Sequence, residues 1–263
     1  SVTCFAGDKD CPKDAVSASC WEKAGIAKDH IYFYGKDDNW WIAGEEGPCG
    51  PDTEMFYDTG KPKCSENCNP SCGCGKYVEI WNNVFMEFFK TKDGKYTKLK
   101  QHNVDTGLGL ERMAMLLQGK ATPFDTELFK PVMDKLQELA GENDSIESRR
   151  IVAEHLRASM MIIQDGGLPS NVDRGYILRR LIRRAIRHAK KLEIDVNSNW
   201  DEQIAELIIK KYEKYYDELS RNKDAVLQEL KKENIKYNSF EKNSSFSKNS
   251  VIGLQNKIND VVK

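Results

Sequence analysis

The sequence of 263 residues has little of what would assign it to several classes of protein. No run of about 18 apolar residues occurs, which argues against a membrane-spanning helix. The first residues, Ser-Val-Thr-Cys-Phe, do not form a basic segment followed by an apolar one, so no secretory leader is expected. The formal net charge is only -1, which argues against a uniformly basic nucleic-acid binder. These absences predict a soluble cytoplasmic protein without a membrane partner, in which any nucleic-acid surface is a local patch.

The composition predicts one large domain or two, with strands first and helices later. Aromatic and β-branched residues bounded by Gly, Asp and Pro indicate short strands, and neighbouring strands favour antiparallel pairing. From Glu111 the apolar residues recur every three to four positions, which is typical of a helix, and Gly119 is expected to end it. We therefore predict an α+β fold. The strands are expected at 30–34, 53–57, 77–89 and 96–99, with a hairpin turn at Gly94, and the later helices at 126–140, 146–164, 174–192 and 200–236.

The segment from Val104 to Arg112 is the most informative part of the chain. It compresses a carboxylate, two glycines and an arginine into nine residues that precede an apolar helical run. Asp105 offers an anion to an ammonium group, and Gly107 and Gly109 let a ligand approach the backbone. Arg112 presents a planar, permanently charged fork that suits phosphate oxygens. The segment predicts a site for an amino acid beside a nucleotide, with a plain strand-to-helix turn as the alternative.

Residues 107–112, Gly-Leu-Gly-Leu-Glu-Arg, resemble the third signature motif of class II aminoacyl-tRNA synthetases. The Val-Asp-Thr-Gly segment at 104–107 is similar to the alanyl-tRNA synthetase family in particular. Further segments follow the order of that family from about residue 3 to about residue 235. These are 38–41 (Asp-Asn-Trp-Trp), 47–51 (Gly-Pro-Cys-Gly-Pro), 54–58 (Glu-Met-Phe-Tyr-Asp), 79–82 (Glu-Ile-Trp-Asn), 84–86 (Val-Phe-Met), 168–171 (Leu-Pro-Ser-Asn) and 174–176 (Arg-Gly-Tyr).

The resemblance implies a domain organisation in three parts. Residues 1–142 would be the C-terminal portion of the class II catalytic domain, built on an antiparallel sheet. Residues 143–236 would be a helical domain that recognises the tRNA acceptor stem. Residues 237–263 are rich in Ser, Asn and Lys and are expected to be a flexible polar tail. The first two class II motifs and the editing domain, with its His and Cys motifs, are expected to lie outside these residues.

The resemblance also carries an alanine pocket onto this sequence. Trp41 and Val84 supply the apolar wall that a methyl side chain needs, Asp105 pairs with the ammonium group, and Asn82 offers a neutral donor or acceptor. Trp41 by itself is more typical of a core aromatic residue, and its position beside Asp37-Asp38-Asn39 is what favours the pocket. The full set of matched alanine-binding positions is Trp41, Asn82, Val84, Asp105 and Gly107. Glu54 and Asp58 are interpreted as solvated or structural carboxylates, with support of Mg²⁺ or orientation of the pocket as the alternatives.

The implied reaction has two steps, formation of alanyl-adenylate from L-alanine and ATP, then transfer of the alanyl group to tRNA(Ala). Such chemistry depends on positioning and on sharing phosphate charge with Mg²⁺ and arginines, so no side-chain nucleophile is required. Asp105 and Arg112 are the residues expected to carry it. The expected ATP-binding residues are Gly107, Gly109 and Arg112.

Four of the eight cysteines lie together in one loop, at Cys64, Cys68, Cys72 and Cys74. Four thiolates within a turn-forming segment can close a tetrahedral shell around Zn²⁺. A reducing cytosol disfavours disulfides, which makes a metal the better explanation for such crowding. The spacing departs from paired C-x2-C motifs, so free thiols and redox sensing stay open as alternatives.

Residues 174–191 form an unbroken cationic run with an apolar face at Leu178, Leu181, Ile182, Ala185 and Ala189. A charge-laced solvated helix normally alternates signs, so the run indicates a surface that binds phosphates. A membrane-surface helix and a helix paired with acidic neighbours are the alternatives. RNA is the favoured partner, because an A-form stem exposes its minor groove. The expected tRNA-binding residues are Asn171, Arg174, Arg179, Arg180, Arg183, Arg184 and Arg187.

In the alanyl-tRNA synthetase family, the Pro-Ser-Asn turn before this helix meets a G·U pair of the acceptor stem, and Asn171 is the matched position. Three hypotheses for function follow. The chain is a fragment of such a synthetase, one polypeptide of a split enzyme that needs an N-terminal catalytic partner, or a non-catalytic tRNA-binding relative. An amino-acid pocket beside the basic helix favours the first two, and catalysis by these residues alone is not expected.

Overall fold

The computed structural model describes residues 1–142 and 144–240, and the chain divides into two compact units after Pro123. The sequence placed the division after residue 142, and that three-part organisation stays a prediction. The predicted and observed boundaries differ in where they place the helix at Lys130–Leu139. Its apolar side chains pack in the core of the second unit, so it belongs there and not with the sheet. Across the described residues, no helix is both long and apolar enough to cross a bilayer.

The first unit is a mixed sheet of six strands with two helices. The strands run in the order β2-β1-β4-β5-β6, and β3 pairs only with β4. All pairs are antiparallel except β1 with β2, which are joined by α1 and run parallel. The expected antiparallel pairing is therefore confirmed apart from this pair. The elements are β1 (Val2–Phe5), α1 (Ala15–Lys23), β2 (Ile31–Tyr34), β3 (Trp40–Ile42), β4 (Gly47–Asp58), β5 (Tyr77–Lys90), β6 (Tyr96–Leu108) and α2 (Leu110–Leu117).

Two of these strands, β4 and β6, are much longer than the sequence predicted, because both pair with β5 along most of their length. The observed bounds of β5 differ from the predicted ones by a single residue. The predicted hairpin turn between β5 and β6 is confirmed. Gly94 adopts a φ of +80°, a conformation that side chains disfavour, and Thr91 and Lys95 close the turn by a backbone hydrogen bond. The strand that starts at Tyr96 does not end at Leu99 but continues to Leu108, so the glycine-rich motif lies at a strand end.

The second unit is a helical bundle around one apolar core. Its helices are α3 (Lys130–Leu139), α4 (Ile146–Gln164), α5 (Asp173–Lys191), α6 (Trp200–Tyr212), α7 (Asp217–Arg221) and α8, a helical stretch over 223–240. The side chain of Ser145 caps α4 by accepting a hydrogen bond from the N–H of Ser148. The core includes Leu136 of α3, Leu156 of α4, Ile182 of α5, Trp200 of α6 and Leu230 of α8.

Two sequence predictions for this unit need correction. A single helix over 200–236 is wrong, because the chain turns after Tyr212 and resumes as α7 and then α8. The apolar face of α5 is also shifted, since Ile186 is buried while Leu181 is only partly so. Residues 237–240 continue α8, and the rest of the predicted tail lies outside the described residues.

Candidate functional site

The glycine-rich motif forms the end of β6, and the strand register brings four predicted pocket residues together. Val84 of β5 lies directly opposite Asp105 of β6, and Asn82 lies opposite Gly107. Opposed residues of antiparallel strands project to the same face, as do residues two apart along one strand. Asn82, Val84, Asp105 and Gly107 therefore share one face of the sheet.

The same face continues onto β4, where Asp52 lies opposite Val84 and Glu54 lies opposite Asn82. The Asn82 side-chain amide is 3.4 Å from a carboxylate oxygen of each acid. Asn39 donates a 3.0 Å hydrogen bond to Asp52 from the other side. Asp52 and Asn39 were missed by the sequence analysis, although the alternation of Asp52 and Glu54 along a strand gave a signal for a shared face.

Burial dominates the electrostatics of this acidic pair. It raises the pKa of Asp52 to about 6, against the opposing effect of the hydrogen bonds from Asn39 and Asn82. Burial first, and the neighbouring Asp52 carboxylate second, raise the pKa of Glu54 to about 7. Thr3 donates a hydrogen bond of 3.3 Å to Glu54. Glu54 thus helps to orient Asn82 and is not a solvated carboxylate. Asp58, by contrast, is exposed and pairs with Lys76 at 2.8 Å.

Asp105 and Gly107 face open space at the strand end. The Asp105 carboxylate accepts a hydrogen bond of 2.9 Å from the N–H of Thr106. A Cβ atom added at Gly107 would meet nothing within 4 Å, so the backbone there is accessible to a ligand. Asp105 is exposed, whereas Val84 is buried beneath the face. A polar ligand at the strand end can therefore reach the Asp105 carboxylate and the backbone at Gly107.

Trp41 lies on β3, opposite Gly50 of β4, with 36% of its surface exposed. Its neighbour Trp40 is the core aromatic residue and packs against Phe5 and Phe88 at ring distances of 5.3 and 5.8 Å. Gly50 allows β4 to pass close to β5, since a Cβ there would lie 1.8 Å from the carbonyl oxygen of Phe85. Trp41 is thus the member of the pair that stays available to a ligand, on a strand not adjacent to β6.

Arg112 lies on α2, directly after the strand that carries Asp105. Its guanidinium donates hydrogen bonds to the Glu79 carboxylate at 2.7 Å and to the Glu79 carbonyl at 2.9 Å. Gly109 precedes α2 as its N-terminal cap, and a Cβ there would crowd the Arg112 side chain at 3.1 Å. Arg112 is the only arginine among residues 1–123, so the first unit contains a single guanidinium group.

The four loop cysteines converge between β4 and β5. Their sulfur atoms all lie within 4.8 Å of one another, with Cys64 and Cys72 at 3.3 Å and Cys68 and Cys74 at 3.7 Å. Zn–S bonds of about 2.3 Å put tetrahedral sulfur atoms roughly 3.8 Å apart. All eight cysteines are free thiols. The N–H of Lys76 lowers the pKa of Cys74 to about 7, which favours a thiolate.

The basic helix α5 divides its cations between two environments. Arg179 and Arg183 face Glu233 of α8, which is only 1% exposed, and their Nε atoms lie 3.2 and 2.8 Å from its Oε1. Arg180, Arg184, Arg187 and Lys191 lie along the exposed side at helical spacing, and we call them the basic stripe. Within the described part of the chain, no member of the stripe makes an ion pair. The sequence analysis left open that the helix is paired with acidic neighbours. This holds for Arg179 and Arg183 but not for the basic stripe.

The turn before α5 is held by the same helix. Arg179 donates a hydrogen bond to the side-chain oxygen of Asn171 and another, of 3.1 Å, to the carbonyl of Pro169. Asn171 is exposed, as is Arg174 at the start of the helix. Asn171 and Arg174 are thus exposed at the start of the helix that carries the basic stripe, whereas Arg179 and Arg183 are paired with Glu233.

Comparison with known proteins gives one consistent result. The family profile of tRNA synthetases class II (A) matches residues 2–244. An alanine–tRNA ligase of Treponema denticola is 49% identical over 235 residues, which are 86% of this chain and 39% of that protein. Its counterpart in Treponema pallidum is 47% identical over 245 residues, with 90% of this chain and 40% of the relative covered.

A more distant alanine–tRNA ligase, from Natranaerobius thermophilus, is 41% identical over 82% of this chain and 25% of its own length. The chain spans about 40% of the length of the Treponema relatives. Both the family match and these identities extend across the sheet unit and the helical unit. The resemblance inferred from the motifs is confirmed, and the chain belongs to the alanyl-tRNA synthetase family of the class II tRNA synthetases.

Proposed function

We propose that the chain is the part of a cytoplasmic alanine–tRNA ligase that binds alanine and the distal phosphates of ATP and recognises the acceptor stem of tRNA(Ala). The observation that carries the proposal is the shared sheet face of Asn82, Val84, Asp105 and Gly107, which holds the residues matched to the family's alanine pocket. Because the chain spans about 40% of the length of the Treponema relatives, the activity is proposed for a fragment or a split subunit that works with an N-terminal catalytic segment.

In the proposed pocket, Asp105 pairs with the ammonium group of alanine, and Val84 and Trp41 contact its methyl side chain. Asn82 is held between Asp52 and Glu54 by its two amide contacts, so its orientation is set before the substrate arrives. Gly107 provides a floor without a side chain. A larger amino acid would lose fit against the apolar wall, since each extra methylene changes binding by about 1–3 kcal/mol.

In the first chemical step, a carboxylate oxygen of alanine bonds to the α-phosphorus of ATP, and the bond to the β-phosphate oxygen breaks with release of pyrophosphate. In the second step, a terminal hydroxyl of tRNA attacks the alanyl carbonyl and AMP leaves. Arg112 would hold the distal phosphates, beside the backbone at Gly107 and Gly109, and Glu79 keeps its guanidinium aligned. Mg²⁺, bound with ATP, would share the phosphate charge.

The basic stripe and Arg174 would contact phosphates of the acceptor stem, and Asn171 would read the G·U pair in the minor groove. The support is the exposed cationic side of α5 next to an exposed asparagine turn. We further propose that Cys64, Cys68, Cys72 and Cys74 bind one structural Zn²⁺. The convergence of four sulfur atoms at distances that suit tetrahedral coordination supports this assignment.

Alanine-dependent exchange between ATP and pyrophosphate tests the catalytic proposal. We expect no exchange by the isolated chain and clear exchange when the N-terminal catalytic segment of a relative is supplied. Asp105→Asn should then reduce exchange at least 100-fold, because the ammonium loses its anion. Asp93→Asn, in the exposed hairpin turn, is the control. Full exchange by the isolated chain would show that no further segment is needed, and full exchange by the Asp105 variant would contradict the role of Asp105. No exchange from a folded, reconstituted pair would leave an RNA-binding role alone.

A further inference from the structure

We propose that Glu233 is a positioning residue for acceptor-stem recognition, acting through Arg179 on Asn171. The inference rests on the proposed function, since it assumes that Asn171 reads the stem. It assigns a specific role to a carboxylate on α8 that is too buried to contact RNA itself.

Glu233 is almost fully buried, and its Oε1 atom accepts a hydrogen bond of 2.8 Å from the Nε of Arg183. The Nε of Arg179 lies 3.2 Å from the same oxygen, an ion-pair contact without hydrogen-bond geometry. Its second oxygen, Oε2, has no hydrogen-bond partner among the described residues. A buried carboxylate is costly unless it is paired, so the ion pairs with both arginines stabilise its charge. Arg179 is itself largely buried, with 16% of its side chain exposed.

The guanidinium of Arg179 has three nitrogen atoms in one plane, and each faces a different partner. Nε faces Glu233, Nη1 donates to the side-chain oxygen of Asn171, and Nη2 donates to the carbonyl of Pro169 at 3.1 Å. Because the group is rigid and planar, fixing one edge on Glu233 fixes the direction of the other two donors. The carboxylate on α8 thereby sets the geometry of the turn at 169–171.

This geometry decides which chemistry Asn171 presents to a ligand. A guanidinium has donors only, so the amide must turn its oxygen towards Arg179. The NH₂ group of Asn171 is then directed away from Arg179 as a donor. In the minor groove the purine N3 and pyrimidine O2 atoms are acceptors, and an oriented NH₂ group can read their positions. A freely rotating amide would present donor and acceptor alike and would discriminate less.

Glu233 also withdraws two cations from the phosphate-binding surface. Arg179 and Arg183 are engaged by it, whereas the basic stripe on the exposed side of α5 makes no ion pair with any residue of 1–142 or 144–240. Loss of the Glu233 charge should therefore weaken discrimination without weakening non-specific attraction to RNA. A purely structural role would lower both together.

The test measures binding of the full chain to two acceptor-stem RNA hairpins that differ only in G·U against G·C. Glu233→Gln should reduce the preference for G·U about fivefold and leave affinity for the G·C hairpin unchanged or raised. Arg179→Lys should reproduce the loss, because lysine keeps the charge but lacks the fork. Glu229→Gln is the matched control, since Glu229 lies on the same helix and pairs at the surface with Lys232 at 2.7 Å.

Asn171→Ala distinguishes the role of Asn171 in recognition from the role of Glu233 in positioning it. If it removes the preference while Glu233→Gln and Arg179→Lys do not, the positioning role is overturned and the proposed recognition stands. If it leaves the preference intact, the recognition by Asn171 fails, and the role of Glu233 with it. Equal losses on both hairpins in the Glu233 and Arg179 variants would show a structural role and overturn the inference. Circular dichroism checks that each variant is folded. If Glu233→Gln does not fold, the preference of Arg179→Lys for the G·U hairpin tests the positioning role.

Discussion

At the scale of single residues, Asp52 and Glu54 have an environment unlike that of the other carboxyl groups of the sheet unit. Both are held by the amide of Asn82, and burial raises the pKa of each well above its usual value near 4. Asp93, in an exposed turn, shows the opposite, because Lys95 lowers the pKa of its carboxyl. The acidic pair is therefore a source of pH-dependent stability next to the proposed alanine pocket.

We predict that stability falls as the pH rises from about 4 to about 7. In this window the unfolded carboxyl groups ionise readily, whereas the folded protein holds the protons on Asp52, with a pKa of about 6, and on Glu54, with one of about 7. Asp52→Asn should remove part of this cost and raise the free energy of unfolding by about 1–2 kcal/mol at pH 8, with no gain at pH 4.

Urea unfolding at pH 4 and pH 8 measures this difference, with Asp93→Asn as the control. The control residue is exposed and paired with Lys95, so its substitution should not give a gain that appears only at high pH. A change of the same size at both pH values in Asp52→Asn would contradict the assignment of the raised pKa.

At the scale of elements, α5 has three sides with different tasks. Leu178, Ile182 and Ala185 are buried in the core, Arg179 and Arg183 are paired with Glu233, and the basic stripe faces out. The helix also carries Asp173 in its first turn and basic residues in its last, which suits the helix dipole.

We predict that the basic stripe supplies the salt-dependent part of RNA affinity. Replacing Arg180, Arg184 and Arg187 with Ala should lower the slope of log affinity against log salt concentration by about two to three units, because each phosphate contact contributes roughly one. Titrations of an acceptor-stem hairpin at several salt concentrations measure the slope. A control with Lys210, Lys211 and Lys214 replaced should keep it. An unchanged slope in the arginine variant would remove the stripe from the RNA surface.

The loop between β4 and β5 is a second element for which we propose a function, the binding of Zn²⁺. Lys76 fixes its end by bonds to Asp58 at 2.8 Å and to the carbonyl of Lys61 at 2.9 Å, and Ser71 reaches Asp38 at 2.9 Å. These contacts bring the cysteines together without a disulfide.

We predict one Zn²⁺ per chain, lost on treatment with a strong chelator. Cys68→Ser should abolish it and increase hydrogen exchange around residues 62–76, because four thiolate bonds are reduced to three. Cys20→Ser, at an exposed cysteine on α1, should retain full metal content. Elemental analysis of protein purified without an affinity tag gives the stoichiometry. Four freely titrating thiols and no zinc would favour redox sensing or incidental thiols instead.

At the scale of the whole molecule, the two units divide the proposed work. The sheet unit holds one arginine, Arg112, which already faces Glu79. A single fork cannot bind the distal phosphates and also stabilise charge at the α-phosphate. This count is the physical reason to expect exchange only when a further catalytic segment is supplied. The helical unit carries the basic stripe and Asn171 on its own surface, so we expect stem binding not to need that segment.

The sequence by itself determined the family, the α+β class and the hairpin at Gly94. It also predicted the ends of α4 and α5 to within one residue. These features depend on local patterns, namely turn glycines, helical periodicity and a contiguous motif. The cysteine cluster and the cationic run were also visible, since each lies within one short segment. Their roles stay predictions.

Only the tertiary structure decided which distant residues meet. The strand register placed Asp52 and Glu54 beside Asn82 and gave both carboxyl groups a raised pKa. The packing of α8 on α5 buried Glu233 and separated two paired arginines from the basic stripe. Burial and pairing depend on neighbours that are 28 to 54 positions apart in the chain. No local periodicity encodes such distances, because they follow from how whole elements pack.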